Sequence, residues 1–328
     1  MATYQRISGF NIKSLATDPS NLVEGEIWFN STSGTLKTAP LVAAAFASGT
    51  ALPSVRWSTT GTGIKTAAFI FGGATGPAAP TFLNTTFEGD GTAWTAGGTN
   101  PLTRINQFGV GTQTATIGGG GYTEPGGNTA VANTYNGTSW TGITSTPYVT
   151  KGAGAAGTTT AALVYGSDVP GSDNQASNSW NGSSWIAEGT MSTSFQNGGS
   201  GGPTETTAFA TGSIHPDPAA SNRFETYNGT SWASGPALNT PMYQGRGFGS
   251  STECLSIGGY NKITGVERFN GTAWATAPSL GTGRKQFASS NSDASGVASG
   301  WVGGGADGPS AVEEYTAAAV GAKTITTS

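Results

Sequence analysis

General acid–base chemistry is the first kind of catalysis the side chains allow. Five carboxylates, Glu124, Asp168, Asp173, Asp217 and Asp307, stand in stretches that read as loops. A pair held close together could divide the roles of general acid and general base, but nothing in the spacing converges any two, and solvated loop charge is the expectation. Imidazole chemistry rests on one residue, because His215, in Ile214-His-Pro-Asp-Pro218, is the sole histidine. Cys254 is the sole cysteine and lies in the apolar run 253–257. It can form neither an intrachain disulfide nor a thiolate cluster, and it reads as a small buried hydrophobe. A copper centre needs several clustered imidazole, phenol or thiol ligands, which this set of residues does not supply. The stretch 168–174 could present oxygens to calcium but matches no EF-hand loop. No metal, no cofactor and no catalytic residue is therefore expected, and the protein is read as a non-enzyme.

Partners are bounded by charge. Only 14 Lys and Arg are spread over 328 residues, the net charge is -4, and no basic stripe forms to neutralise phosphates, so nucleic acid is not an expected partner. No window approaches the length of an apolar membrane span, and residues 1–11 lack the apolar core of a signal peptide. Neither membrane insertion nor a signal peptide is expected.

The elements that would position any site follow from self-comparison. Asp90-Gly-Thr-Ala-Trp94, Asn136-Gly-Thr-Ser-Trp140, Asn181-Gly-Ser-Ser-Trp185, Asn228-Gly-Thr-Ser-Trp232 and Asn270-Gly-Thr-Ala-Trp274 are near-copies, with tryptophans 46, 45, 47 and 42 residues apart. Phe46 and Val320 extend the series at its two ends, which gives six periods. A second row closes apolar runs: Gly72-Gly73, Gly118-Gly119, Tyr165-Gly166, Thr211-Gly212, Gly258-Gly259 and Gly303-Gly304. A third row is aromatic: Tyr135, Trp180, Tyr227, Phe269 and Tyr315, with Phe87 displaced. With 53 Gly and 16 Pro, many short strands joined by tight turns are expected, and long helices are not.

An apolar strand ending in Gly-Gly, a loop, a strand ending in an aromatic, a small polar turn and then Trp together resemble the kelch motif. A proline-to-basic step after the Trp extends the likeness at Pro53 to Arg56, Pro101 to Arg104, Pro147 to Lys151 and Pro241 to Arg246. Arg284 lacks the closely preceding proline, and 191–197 has neither residue. The resemblance implies an all-β fold, a six-bladed kelch-like β-propeller of four-stranded antiparallel blades over residues 43–328. Some kelch propellers are copper enzymes, but the ligand argument above excludes such a site here. Physically, a four-stranded blade cannot bury both faces alone, so blades must stack around an axis. Trp94, Trp140, Trp185, Trp232 and Trp274 then supply buried area between blades, and the glycine row allows close backbone approach. The Asn-Gly pairs are expected at the turns joining the third and fourth strands. That reading also accounts for the sequons at Asn136, Asn181, Asn228 and Asn270 better than glycosylation does. The chain contains material for two ring closures, an outer strand supplied from about 43–50 or one completed in sequence by 320–326, and the N-terminal strand is slightly favoured.

Residues 1–42 stand outside the repeat. Gly25-Glu-Ile-Trp-Phe-Asn-Ser-Thr-Ser-Gly-Thr-Leu-Lys37 reads as a hairpin and resembles the N-terminal region of phage structural and tail-associated proteins. This resemblance implies a virion protein, with residues 1–42 docking onto other virion or surface-assembly proteins and the propeller displayed for adhesion. The alternatives are a free bacterial lectin-like or protein-binding propeller and a glycan hydrolase. Divergent loops on a rigid scaffold are where recognition resides. Tyr122, Glu124, Asp168, Asp173, His215, Asp217, Tyr260 and Lys262 are accordingly the candidate contacts for a host-surface protein or glycan.

Overall fold

The computed structural model describes residues 12–76, 80–169, 174–214, 221–291, 296–306 and 310–326. It divides into two units, one formed by 1–45 with 317–328 and the other by 46–316. Among the described residues the regular structure is all β, apart from two three-residue 3₁₀ turns at Glu205–Thr207 and Tyr260–Lys262.

The larger unit holds six four-stranded antiparallel sheets. The first comprises Thr60–Ile64, Ala67–Phe71, Thr86–Gly89 and Trp94–Ala96; the second Phe108–Thr112, Ala115–Gly119, Ala132–Tyr135 and Trp140–Ile143; the third Gly154–Gly157, Ala162–Tyr165, Ser177–Trp180 and Trp185–Ala187. The fourth comprises Gly199–Gly201, Phe209–Thr211, Phe224–Tyr227 and Trp232–Ser234; the fifth Arg246–Ser250, Glu253–Ile257, Val266–Phe269 and Trp274–Thr276. In these five, spatial order follows chain order. The sixth takes Ala288–Ser289, Ser299–Gly303 and Val312–Thr316, and Ala45–Gly49 from the N-terminal side is its fourth strand. Val320 pairs elsewhere, with Leu41.

Two sets of backbone hydrogen bonds join the sheets. Two residues before each first strand the chain turns into the left-handed region, at Ser58, Asn106, Gly152, Asn197, Gln244 and Gln286, with φ between 48 and 63°. These six residues bond one another in a closed circle. Asn106 N–H donates to Ser58 O at 3.0 Å, Gly152 to Asn106 at 2.9 Å and Asn197 to Gly152 at 3.0 Å; Gln244 donates to Asn197, Gln286 to Gln244 at 2.8 Å, and Ser58 to Gln286 at 2.8 Å. In the second set, the residue two past each second strand donates to a carbonyl four residues before the next sheet's first strand: Gly73 to Arg104, Gly121 to Thr150, Ser167 to Phe195, Ser213 to Met242, Gly259 to Arg284 and Gly305 to Arg56. Non-glycine residues in the left-handed region cost free energy, and the closed circle is what holds five of them there.

The tryptophans pack between sheets. Trp140 lies 5.1 Å from Phe71 of the first sheet, Trp232 4.7 Å from Tyr165 of the third, Trp274 5.1 Å from Phe224 of the fourth, and Trp94 5.6 Å from Trp301 of the sixth. Trp185 meets Phe108 of the second sheet at 6.4 Å, edge to face. Four of the indoles donate to a carbonyl just past the preceding outer strand: Trp94 to Thr50, Trp140 to Gly98, Trp185 to Thr144 and Trp274 to Pro236. Trp232 departs from this pattern and donates to Ser177 Oγ at 2.8 Å.

The Asn-Gly pairs join third to fourth strands as expected, while two other expectations need correction. In the first five sheets this connection is a four-residue loop in which only the glycine is left-handed, at φ 87 to 95°. The Asn side chain closes the loop, as where Asn136 Oδ1 accepts Thr138 and Ser139 N–H at 3.0 and 2.9 Å. The glycine row is also reframed. Gly72-Gly73 and Gly258-Gly259 are left-handed as a pair, but their counterparts are Gly120-Gly121 and Gly304-Gly305. Gly118 and Gly119 remain in the strand, where a Cβ would meet the rings of Phe71 and Phe108, and Gly303 ends the strand before Gly304. Finally, the basic step is not one position. Arg56, Arg104 and Arg284 each stand four residues before a first strand, whereas Met242 holds that place in the fifth sheet and Arg246 opens the strand itself.

In the smaller unit Lys13–Leu15 runs parallel to Ile27–Asn30, which forms a hairpin with Thr35–Thr38, and Lys323–Thr324 adds to its edge. Trp28 is fully buried, and its indole donates to Asp18.

Candidate functional site

In an antiparallel four-stranded sheet, the loop from second to third strand and the segment entering the first strand emerge at the same end. The second set of inter-sheet bonds above runs between those two segments, so this end of the larger unit is continuous from sheet to sheet. It carries those candidate contacts whose side chains are described.

They fall into three separate clusters. Tyr122, 38% exposed, meets Phe82 edge to face at 6.0 Å, and Glu124 nearby is exposed. Asp168 pairs with Lys151 at 3.2 Å and accepts Asn197 Nδ2 at 2.9 Å. Tyr260, 44% exposed, stacks on Tyr243 at 4.5 Å, and Lys285 Nζ lies 4.9 Å over its ring. Burial pushes the Tyr243 hydroxyl up to about 12, with Tyr260 adding to the shift, so it stays a neutral donor at neutral pH. Lys262 lies in the 3₁₀ turn after Gly259. Asp173, His215, Asp217 and Asp307 lie outside the described residues, as does the end of the oxygen-rich stretch considered for calcium. Among the described residues no three His, Cys, Asp or Glu side chains group as metal ligands. No described helix is long and apolar enough to cross a membrane.

Sequence reasoning missed Phe82, Tyr243 and Lys285, which complete two of these clusters. It also missed a cavity of about 40 Å³ lined by residues of all six sheets, among them Thr60, Gln107, Ala155, Ser200, Arg246 and Asn291. Arg246 is the one charged residue in that lining, and burial lowers its guanidinium to about 10, so it remains a cation at neutral pH. The local signal that marks it is its spacing of five residues from Pro241, against three at Arg56 and Arg104, and its role follows from its register opposite Ile257.

Beneath the loops, three arginines with no exposed surface tie each loop to its own sheet. Arg56 donates to Gly72 O and Thr85 O, and Arg104 to Gly120 O, Val131 O and Asn133 Oδ1. Arg284 donates to Gly304 O and Ala311 O and binds Glu313 at 2.9 Å. Burial lowers Arg56 and Arg104 to about 10, so both stay charged at neutral pH. Their role is structural.

The architecture is that of an all-β protein compatible with a β-propeller. No protein-family model matches the chain, and no curated protein matches it.

Proposed function

We propose that residues 46–316 form a six-bladed propeller of kelch-like repeats serving as a non-enzymatic binding and display scaffold, carried on a phage virion through the N-terminal segment. The observation that carries the scaffold reading is the closed circle of six backbone hydrogen bonds. A frame pinned in this way can present loops of divergent length without changing its own geometry. The loop-face clusters then offer aromatic faces and mixed charge to a host-surface protein or glycan.

The docking role of residues 1–42 is supported by exposed apolar side chains. Val23, Ile27, Leu41 and Val42 are 67, 44, 51 and 56% exposed, and apolar surface of this kind marks interaction sites when contiguous. The phage-like hairpin at 25–37 points the same way. Mass spectrometry of purified particles tests the reading: the protein is expected in virions at fixed stoichiometry, and its absence overturns the assignment. Deleting residues 1–42 should leave the propeller folded and abolish incorporation. Replacing Tyr122 and Tyr260 together by Ala should weaken attachment of particles to host cells while leaving the melting temperature nearly unchanged. Unchanged attachment would mean that recognition resides on another surface.

A further inference from the structure

We infer that the fifth sheet contains a built binding site for a guanidinium group. The sixth sheet provides the template. There Arg284, 0% exposed, places Nη1 against Gly304 O at 2.7 Å and Ala311 O at 2.8 Å, and Nε and Nη2 against Glu313 Oε1 at 3.3 and 2.9 Å. Glu313 is itself held by Gly281 N–H on Oε2 and Thr282 N–H on Oε1.

The fifth sheet repeats every acceptor. Gly258 and Gly265 stand where Gly304 and Ala311 stand, joined by the same bond from the N–H of the first to the carbonyl of the second. Glu267 replaces Glu313 and is held by the corresponding backbone groups, Asn239 N–H on Oε2 and Thr240 N–H on Oε1, both at 2.8 Å; Asn239 Nδ2 adds a second bond to Oε2 at 3.0 Å, which leaves Oε1, the oxygen that Arg284 uses in the sixth sheet, with the Thr240 N–H alone. What differs is the donor. Met242 occupies the arginine position, and its sulfur contacts Ser256 Oγ. Among the described residues no side chain donates to Gly258 O or Gly265 O. A cavity of about 100 Å³ lies here, lined by Thr240, Met242, Gly258, Gly265 and Glu267, with exposed Thr276 at its rim. One water needs roughly 10–15 Å³ of such volume, so a small planar cation fits.

The third sheet shows that these acceptors draw a donor when one is in reach: there Tyr148 Oη donates to Ala176 O, the carbonyl equivalent to Gly265 O. A carboxylate and two carbonyls in this arrangement match the planar fork of guanidinium better than the point charge of ammonium. The occupant is a guanidinium group, from either a free small molecule or the arginine side chain of a partner chain. The inference does not depend on the virion reading.

Methionine methyl labelling gives a direct readout, because the chain has only three methionines and Met242 lines the cavity. Titration with methylguanidinium at roughly millimolar concentration is expected to shift the Met242 methyl resonance saturably, with ammonium far less effective. Glu267→Gln should weaken that binding about tenfold or more, the scale of a lost charge-assisted bond. Met242→Arg, which supplies the group within the chain, should raise the melting temperature. A blocked Gly-Arg-Gly peptide separates the two sources. Binding of the peptide as well as the free cation assigns the site to a partner's arginine, and binding of the free cation alone assigns it to a small solute. No saturable shift with either probe, or a shift of equal affinity in Glu267→Gln, overturns the inference, whether or not Met242→Arg folds.

Discussion

The first, second and sixth sheets each carry a buried arginine beneath the loop face, and the third, fourth and fifth do not. In the second group the same position is Thr150, Phe195 or Met242, yet the circle of left-handed residues passes through all six sheets unbroken. The contrast separates two functions that a repeat motif merges. Backbone bonds between neighbouring sheets set the frame, whereas the arginine ties each loop to its own sheet and can be replaced where other contacts suffice. Lys151 with Asp168 does this for the third loop, and Arg223 reaching Ser194 O does it in the fourth. In the fifth, among the described residues, no side chain reaches from the segment entering the first strand to Gly258 O or Gly265 O.

Importing the fifth sheet's residue into the sixth is the strongest way to break that comparison. Arg284→Met leaves Glu313 buried without its cation and should cost about 3–5 kcal/mol, the range for a buried pair stripped of one partner, read by chemical denaturation. A loss below about 1 kcal/mol would mean that the backbone N–H groups of Gly281 and Thr282 satisfy Glu313 alone. The tryptophan row offers a control that both groups of sheets share. Trp232→Ala should cost about 3 kcal/mol, near the lower end of the range for such truncations, and Trp140→Ala in an arginine-bearing sheet should cost a similar amount. A large difference between the two would tie the indoles to the arginine network after all.

The smallest effect is expected at the turns, which ignore the division altogether. The Thr92 hydroxyl and the N–H groups of Thr92 and Ala93 bind the Asp90 carboxylate and hold its pKa below the usual 3.8. A depressed folded-state value stabilises above the unfolded pKa, and that contribution is lost as pH falls through the folded value. Melting temperature measured below about pH 4 should therefore fall slightly more steeply in the wild type than in Asp90→Asn, which keeps the acceptor but not the charge. Equal slopes would show that the turn hydrogen bonds do not favour the ionised form.

Large, periodic side chains were legible in the sequence. The Trp row and its aromatic partners sit between sheets as their spacing implies, because an indole or phenol ring needs a buried neighbour. Of the two segments the sequence offered for closing the last sheet, the N-terminal one at 45–49 takes the place. The closing circle was invisible, because its members are Ser, Asn, Gly, Asn, Gln and Gln and share only a φ value, which no composition rule reports. The glycine frame slipped where glycines run together, at 118–121 and 303–305, since identical residues carry no register. The proline-to-arginine spacing held a signal that went unused: three residues at Arg56 and Arg104, but five at Arg246, which is why Arg246 faces a different environment. Of the candidate contacts, Tyr122, Asp168 and Tyr260 emerged in clusters that each include a residue of an adjacent sheet, Phe82, Asn197 and Lys285 respectively, a proximity that one-dimensional spacing cannot encode.

The sixth sheet's borrowed strand has a consequence for biosynthesis. Residues 45–49 leave the ribosome well before their partner at 312–316, which follows about 270 residues later, roughly 13–54 s at ordinary elongation rates. For that interval the segment is a strand without its partner. Its sequence, Ala-Phe-Ala-Ser-Gly, is suited to the wait: one aromatic among small residues gives a weak template for aggregation, and that aromatic, Phe46, packs against Tyr315 at 5.1 Å once the partner strand arrives. A nascent chain stalled before residue 312 should consequently remain protease-sensitive around residues 45–49 even after its middle sheets have formed.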